Sequence, residues 1–436
     1  MSRNLFLALG LAMAIPAGAQ SPADTLRPIS LDEAVRLARQ NAPAAVSARG
    51  AIRTANSSVR SSVGAFLPSV TGSIGQNWQA GDRLGPQGTL IKYVGEPWSY
   101  SSGLSMNMNL FDGGRRIRDL QRARADVDVA EASEVSQRYA IALQVKQQYY
   151  AILAARESES AARAQLEAAR QQLNAAVTRV RAGVATLSDS LRSVIQVGNA
   201  QLALLTAQNN LAVASAALTR LVASSDPVTA NPADTLDVPG PIPAVAELYQ
   251  LAEQGPAVTQ AENAVRSASA ARRAARTSYF PSVDLRFNRG GNGYDKLWGF
   301  NGQPYAYSSS VGLNLSWPFF NNFSREDSYT RSSVQLEVAS AQLRDAKLAA
   351  RATLAAQLAA LRSAEERERV QASSVAAARE DLRVQQQRYN LGASTLLDLL
   401  TSQSNLDQAR LALIQARQDR RVARAQIEAI IGKDLP

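Results

Sequence analysis

Hydrophobic and polar positions along this chain follow two different periods. From Ser69 the period is two: Val70, Gly72, Ile74, Gln76 and Trp78 share one side. Further on, Leu104, Met106, Met108 and Leu110 alternate with Gly103, Ser105, Asn107 and Asn109. Alternation over roughly ten residues, joined by the Gly- and Pro-rich loop 80–97, predicts a β-hairpin over about 66–111 of membrane-spanning length. A lone two-stranded hairpin in water is only marginally stable. From Arg115 to Arg181 the steps become three, four or seven, through Ile141, Val145, Tyr149 and Ile152 and later through Leu166, Leu173, Val177 and Val180, with no Pro or Gly. That run predicts a single rod of about seventy residues, on the order of 100 Å long, with coiled-coil-like packing.

Before the hairpin, a Pro-containing extended lead-in reaches Ser30, which with Glu33 reads as the capping box of a first helix. It ends near Asn41-Ala42-Pro43, because Pro disfavours helical geometry in its predecessor. A second helix, with Pro43 in its first turn, ends at Phe66-Leu67-Pro68. After the long rod comes RVRAGVATLSDSL, Arg179 to Leu191. Its Gly183 suits a left-handed turn past a helix end, and Thr186 and Asp189 suit the cap of a returning helix to Val222. The stretch 223–243, with Pro227, Pro232, Pro239, Pro241 and Pro243, reads as a linker.

The programme then repeats. Tyr279-Phe280-Pro281-Ser282-Val283 matches Phe66-Leu67-Pro68-Ser69-Val70 at a spacing of 213. Phe320 matches Phe111, and RYNLGASTLLDLL (Arg388 to Leu400) matches the first tip, at a spacing of 209. Length therefore changes only in the loop between strands, as an exposed tip allows. A second hairpin is expected over about 280–320, a second rod over about 324–391 and a return helix to Ile431. The chain thus divides into repeats at 20–222 and 244–436 around the linker.

Composition narrows the chemistry. The 436 residues contain no Cys and no His, which removes thiol nucleophiles, disulfides, imidazole bases and the commonest zinc and copper ligands. The net charge of +10 comes from Arg interleaved with Glu, as in Arg362, Glu365, Glu366, Arg367, Glu368 and Arg369. This is the pattern of solvated helix faces and gives no nucleic-acid footprint. Arg3, an apolar run from Leu5 to Ile15 and Ala17-Gly18-Ala19 read as a signal peptide over 1–19, with no Cys after it for a lipid anchor. No later apolar run approaches the roughly 20 residues of a spanning helix, so membrane entry has to be as a β-barrel. Four strands per chain cannot close one; three copies supply twelve.

These features resemble the TolC-like family of outer-membrane efflux proteins. The carrying motifs are FLPSV (Phe66–Val70) and YFPSV (Tyr279–Val283), the strand-to-helix junctions MNLFDGG (Met108–Gly114) and WPFFNN (Trp317–Asn322), and the two tips, in order over essentially the whole mature chain. The resemblance implies a mainly α fold with membrane β. Its duplicated α-helical barrel of coiled-coil-like helices carries four transmembrane strands per chain, closing as a 12-stranded barrel in a homotrimer. It implies an exported, non-enzymatic duct in the outer membrane, with no cofactor and no metal. Its partners are a periplasmic adaptor, an inner-membrane pump of RND, ABC or MFS type, and outer-membrane lipid. Pro68, Phe111, Gly113, Gly114, Pro281, Pro318 and Phe320 fall at the strand–helix junctions. Arg179, Gly183, Thr186, Asp189, Arg388, Tyr389, Gly392, Thr395 and Asp398 fall at the periplasmic gate and adaptor contact. A ring of Asp398 carboxylates would favour cations there; the alternative for Asp398 and Asp189 is helix capping. Ser394 and Thr401 stand where some members carry charge, against a multi-charge gate. Asn321-Asn322 replaces Asp-Gly and is expected to alter the second turn. Type I protein secretion and a soluble periplasmic coiled-coil scaffold remain alternatives.

Overall fold

The computed structural model describes residues 26–79, 81–84, 88–91, 97–236, 242–294 and 305–435. The expected signal peptide and parts of both inter-strand loops lie outside them. The first repeat comprises β1 (Arg27–Ile29), α1 (Leu31–Asn41), α2 (Pro43–Gly64), β2 (Ser69–Trp78), the short pair β3 (Arg83–Leu84) and β4 (Leu90–Ile91), β5 (Trp98–Phe111), α3 (Arg115–Arg181) and α4 (Leu187–Val222). Then follow β6 (Val228–Ala230), α5 (Val245–Glu253), α6 (Pro256–Ala275) with a 3-10 turn at Arg276–Tyr279, β7 (Ser282–Gly293), β8 (Ala306–Ser316), α7 (Ser324–Asn390) and α8 (Leu396–Ile431). The rods α3 and α7 have 67 residues each and the return helices α4 and α8 have 36. At 1.5 Å per residue the returns reach about halfway up the rods.

The two hairpins merge into one antiparallel sheet in the order β2-β5-β7-β8. One face carries Val70, Met106, Phe287 and Val311 in a single cross-strand row, and the adjacent row of the other face is Thr71, Ser105, Asn288 and Ser310. The apolar face is open, with Ile74 77 % and Val311 73 % exposed.

The largest core lies at mid-height, where short elements cross the rods. Ile141, Val145, Tyr149 and Ile152 of α3 pack with α1, the end of α4 and β6; Leu354, Leu358 and Leu361 of α7 pack with α5 and α8. Fully burying each such side chain stabilises by about 1.5–3 kcal/mol. The stretch read as a linker is in part structural. Its β6 pairs in parallel with β1, Ile29 against Ala230, and Val228, Ala230 and Leu236 are buried. The Tyr149 hydroxyl knots this region, lying 3.0 Å from the Ile29 carbonyl oxygen and 3.1 Å from the Asn231 N–H, against the Asp234 carboxylate. Burial first, then Asp234, pushes its pKa well above the ordinary tyrosine value. The Ser30–Glu33 capping box is only half formed: Ser30 Oγ accepts from the Glu33 N–H, while the Glu33 carboxylate turns to Arg27 at 3.0 Å. An exposed cation six residues earlier, in β1, takes the carboxylate in place of the backbone donor.

Both strand-to-helix junctions use two successive left-handed residues. Gly113 and Gly114 have φ of 66° and 83°; Asn322 and Phe323 have 55° and 60°. The expected change of turn geometry at Asn321-Asn322 is therefore absent: Asn tolerates this conformation, and Phe323 adopts it as well. Asp112 accepts from the backbone N–H of Gly114 and Arg116 and so caps α3. Pro68 and Pro281 immediately precede β2 and β7. Pro318 follows β8 and accepts from Arg325. Phe111 ends β5, and Phe320 meets Phe323 edge-on. Sequence reasoning missed a duplicated lock: Arg116 lies 5.1 Å over the Phe66 ring and Arg325 4.9 Å over Tyr279.

The two junction glycines are not equivalent. A Cβ on Gly113 would sit 2.4 Å from Phe280 Cβ, whereas Gly114 faces open space. Gly114→Ala is expected to cost about 1–2 kcal/mol, from backbone conformation alone. Gly113→Ala adds a packing clash of about 1–3 kcal/mol. Thermal unfolding of the two variants, followed by circular dichroism, should rank Gly113→Ala clearly lower; equal melting would refute the clash.

Candidate functional site at the helical tips

Both rods end in the same hydrogen-bonded reversal. Gly183 N–H donates to the Val180 carbonyl and Val184 N–H to that of Arg179; Gly392 and Ala393 repeat this to Tyr389 and Arg388. This double bond pattern around a left-handed glycine satisfies the last carbonyls of the helix, and Gly183 and Gly392 have φ of 77° and 73°. Each return helix then opens with a complete capping box. Thr186 Oγ1 accepts from the Asp189 N–H and the Asp189 carboxylate accepts from the Thr186 N–H; Thr395 and Asp398 do the same. Thr is thus the cap at both tips, and Asp closes the box from the third helical position.

The Thr395 hydroxyl, 2.7 Å from Asp398 Oδ2, then the Thr395 backbone N–H, and the attraction of Arg388 hold the Asp398 carboxyl below its ordinary 3.8. The group is fully exposed, so it remains charged while capping. Ser394 and Thr401, where charge is absent, bond their own backbone at Gln385 and Leu397.

The tips are joined laterally between the repeats through Arg179. Arg179 Nη1 donates to the Tyr389 carbonyl at 2.9 Å, and the guanidinium lies 4.5 Å over the Tyr389 ring. Tyr389 is buried with Leu396 and Leu399. The equivalent position of the first repeat is Val180, so the bridge is not duplicated. Arg179 and Tyr389, both expected at the tips, are brought together; Gly183 and Gly392 shape the turns, and a Cβ added at either would meet open space. Above the tips a cavity of about 630 Å³ between the hairpins is lined by Gln171, Gln172, Gln386, Gln387 and Gln403 among others.

Sequence reasoning missed an exposed apolar rim. Val184 and Leu187 are each 67 % exposed, Leu391 84 % and Leu397 61 %. The signal was present as apolar residues on either side of each Gly, but periodicity assigns such residues to a core.

Removing the cap tests its energetics. Thr395→Ala is expected to weaken the start of α8 by about 1 kcal/mol, or roughly fivefold faster amide exchange in its first turn by hydrogen–deuterium exchange mass spectrometry, and Asp398→Asn to speed exchange there in the same direction. Because the folded-state pKa of Asp398 is depressed, its contribution is fully present above the ordinary 3.8 and disappears as pH falls through the lower folded value. The gap between wild type and Asp398→Asn, compared at the same pH, should therefore close on acidification from about pH 5. A pH-independent gap would refute the carboxylate's role.

Comparison with known proteins follows the same architecture. A family model described as outer membrane efflux protein matches residues 34–224 and 248–433, one segment per repeat. Protein CyaE of Bordetella pertussis is 29 % identical over 403 residues, covering 89 % of this chain and 81 % of that protein. The probable efflux pump outer membrane protein TtgC of Pseudomonas putida is 28 % identical over 196 residues, covering 45 % of this chain and 39 % of that protein. A solved membrane protein from Pseudomonas aeruginosa superposes with a TM-score of 0.76 at 21 % identity, over 98 % of this chain and 97 % of that one.

Proposed function

The chain belongs to the outer membrane efflux protein family, and we propose that it forms a homotrimeric duct carrying substrates from the periplasmic end of its helices through the outer membrane. The observation that carries this reading is the sheet. It has one apolar and one polar face, and its outer strands β2 and β8 each leave one edge unpaired among the described residues. In hydrocarbon an unpaired edge is not tolerated, and copies of the same sheet joined edge to edge close it. Leu191, Ile195, Leu202 and Leu205 form an exposed stripe along α4 at steps of four, seven and three, which supports helix packing against a neighbouring copy. A soluble scaffold would leave both the stripe and the apolar sheet face in water.

In this reading the tips form the periplasmic mouth. The exposed rim of Val184, Leu187, Leu391 and Leu397 offers an apolar surface to a periplasmic adaptor, through which the duct engages an inner-membrane pump of RND, ABC or MFS type. The Arg179–Tyr389 bridge holds the two hairpins of a protomer in the narrow arrangement. Asp398, exposed and ionised at neutral pH, places a ring of negative charge at the mouth and favours cations.

Edge-to-edge closure can be tested directly, because the chain contains no Cys. Thr71→Cys on β2 combined with Asn314→Cys on β8, both on the polar face, cannot bridge within one chain, since β2 and β8 are the two outer strands of the sheet. Oxidation is expected to give covalent dimers and trimers in the outer-membrane fraction; monomers only, with the protein in the soluble periplasm, would sink the duct reading. In planar bilayers Arg179→Ala should raise single-channel conductance severalfold, and Asp398→Ala should lower cation preference while leaving the bridge intact. Unchanged conductance in Arg179→Ala would remove the bridge from gating.

A further inference from the structure

On the apolar face of the sheet one side chain is charged: Arg289 of β7. It stands in the row Gly72, Leu104, Arg289, Ser309, one step beyond Met106, Phe287 and Val311 toward the inter-strand loops, and the next row holds Ile74 and Tyr307. The guanidinium points away from those rows. Its Cζ lies 5.9 Å from the ring centroid of Tyr307, which sits opposite Gly291 in the next row. A cationic side chain at this depth snorkels toward the headgroups, since charge on a lipid-facing strand is tolerated only near the interface. Among the described residues no carboxylate pairs with it; its neighbour is the Tyr307 ring.

The surface beside Arg289 is a rigid aromatic shelf. The Tyr305 ring occupies the space of a Cβ on Gly291, at 2.0 Å, and Tyr100 that of a Cβ on Gly293, at 2.5 Å. These glycines serve close approach, not a turn. Tyr305 stacks on Tyr100 at 5.4 Å and leans on Tyr307 at 4.5 Å. Its hydroxyl donates to the Gly291 carbonyl at 2.9 Å and meets that of Ser102. At the spacing of 213 that relates the hairpins, the counterpart of Arg289 is Gln76, so the duplication of the sheet does not account for the charge.

We propose that Arg289 and its tyrosine shelf bind the phosphate of a phosphorylated glycolipid in the outer leaflet, one site per protomer. The proposal rests on the outer-membrane reading, which sets the loop end of the sheet at the outer leaflet. An uncompensated guanidinium complements an anionic headgroup, and its planar fork matches phosphate oxygens two at a time. Tyrosines of the interfacial belt lie at headgroup depth, where they wall the site against the acyl chains.

The test uses the full-length trimer in phosphatidylcholine nanodiscs doped with diphosphoryl lipid A, with retained lipid counted by native mass spectrometry. Wild type is expected to retain lipid A, and Arg289→Gln to retain about tenfold less, the change for one lost charge-assisted hydrogen bond. Arg286→Gln, on the opposite and polar face, should match wild type. Lipid A stripped of its phosphates should bind wild type as weakly as intact lipid A binds Arg289→Gln. Equal retention by wild type and Arg289→Gln, or undiminished retention of dephosphorylated lipid, overturns the site and leaves the duct standing. A chain that forms no inserted trimer in these nanodiscs overturns the outer-membrane reading and the site with it.

Discussion

Every backbone N–H and C=O that enters hydrocarbon needs a partner within the protein, and one copy of this chain does not supply them all. The sheet pairs β2 with β5, β5 with β7 and β7 with β8, then stops with an edge on each side. Much else in the molecule accords with that incompleteness. The apolar sheet face is exposed, the polar face is lined with Ser, Thr and Asn, and α4 keeps an apolar stripe on its surface. These features are costly in a monomer and consistent in an assembly of identical copies.

The chain also has to turn sharply where sheet meets rod and where rod meets return helix. All four turns rely on left-handed residues, but the means differ. At the sheet, Gly113-Gly114 and Asn322-Phe323 reach the same conformation with unlike side chains, and in each case an Arg at the start of the rod lies over an aromatic ring at the end of the preceding short helix. At the tips, glycine and a Thr–Asp capping box recur without change. Strict recurrence at the tips and looseness at the sheet reflect surroundings. At the tips the last carbonyls and first N–H groups are satisfied mainly within the turn itself, whereas at each junction an Arg side chain also bonds a backbone carbonyl of the strand end.

The repeats differ most where they meet something else. Tyr389 in place of Val180 creates the bridge from Arg179, and Arg289 in place of Gln76 puts charge on the apolar face of the sheet. Duplication provides the frame, and single departures from it provide the asymmetric contacts.

Local order was legible in the sequence because it depends on short-range physics. Period and the absence of Pro and Gly bounded α3 at Arg115–Arg181 as observed, and placed the end of α7 one residue away, at Asn390 instead of Leu391. Alternation marked the strands and their two faces, and Gly183, Thr186, Gly392 and Thr395 marked the reversals. Tertiary structure alone decided the pairing of β5 with β7 and the recruitment of Val228–Ala230 from a Pro-rich stretch into the core beside β1. It also decided that Arg179 reaches Tyr389 and that the tip leucines stay exposed. Each of these joins residues distant in sequence or depends on what remains uncovered once the helices have packed, and no periodicity within one segment carries that information.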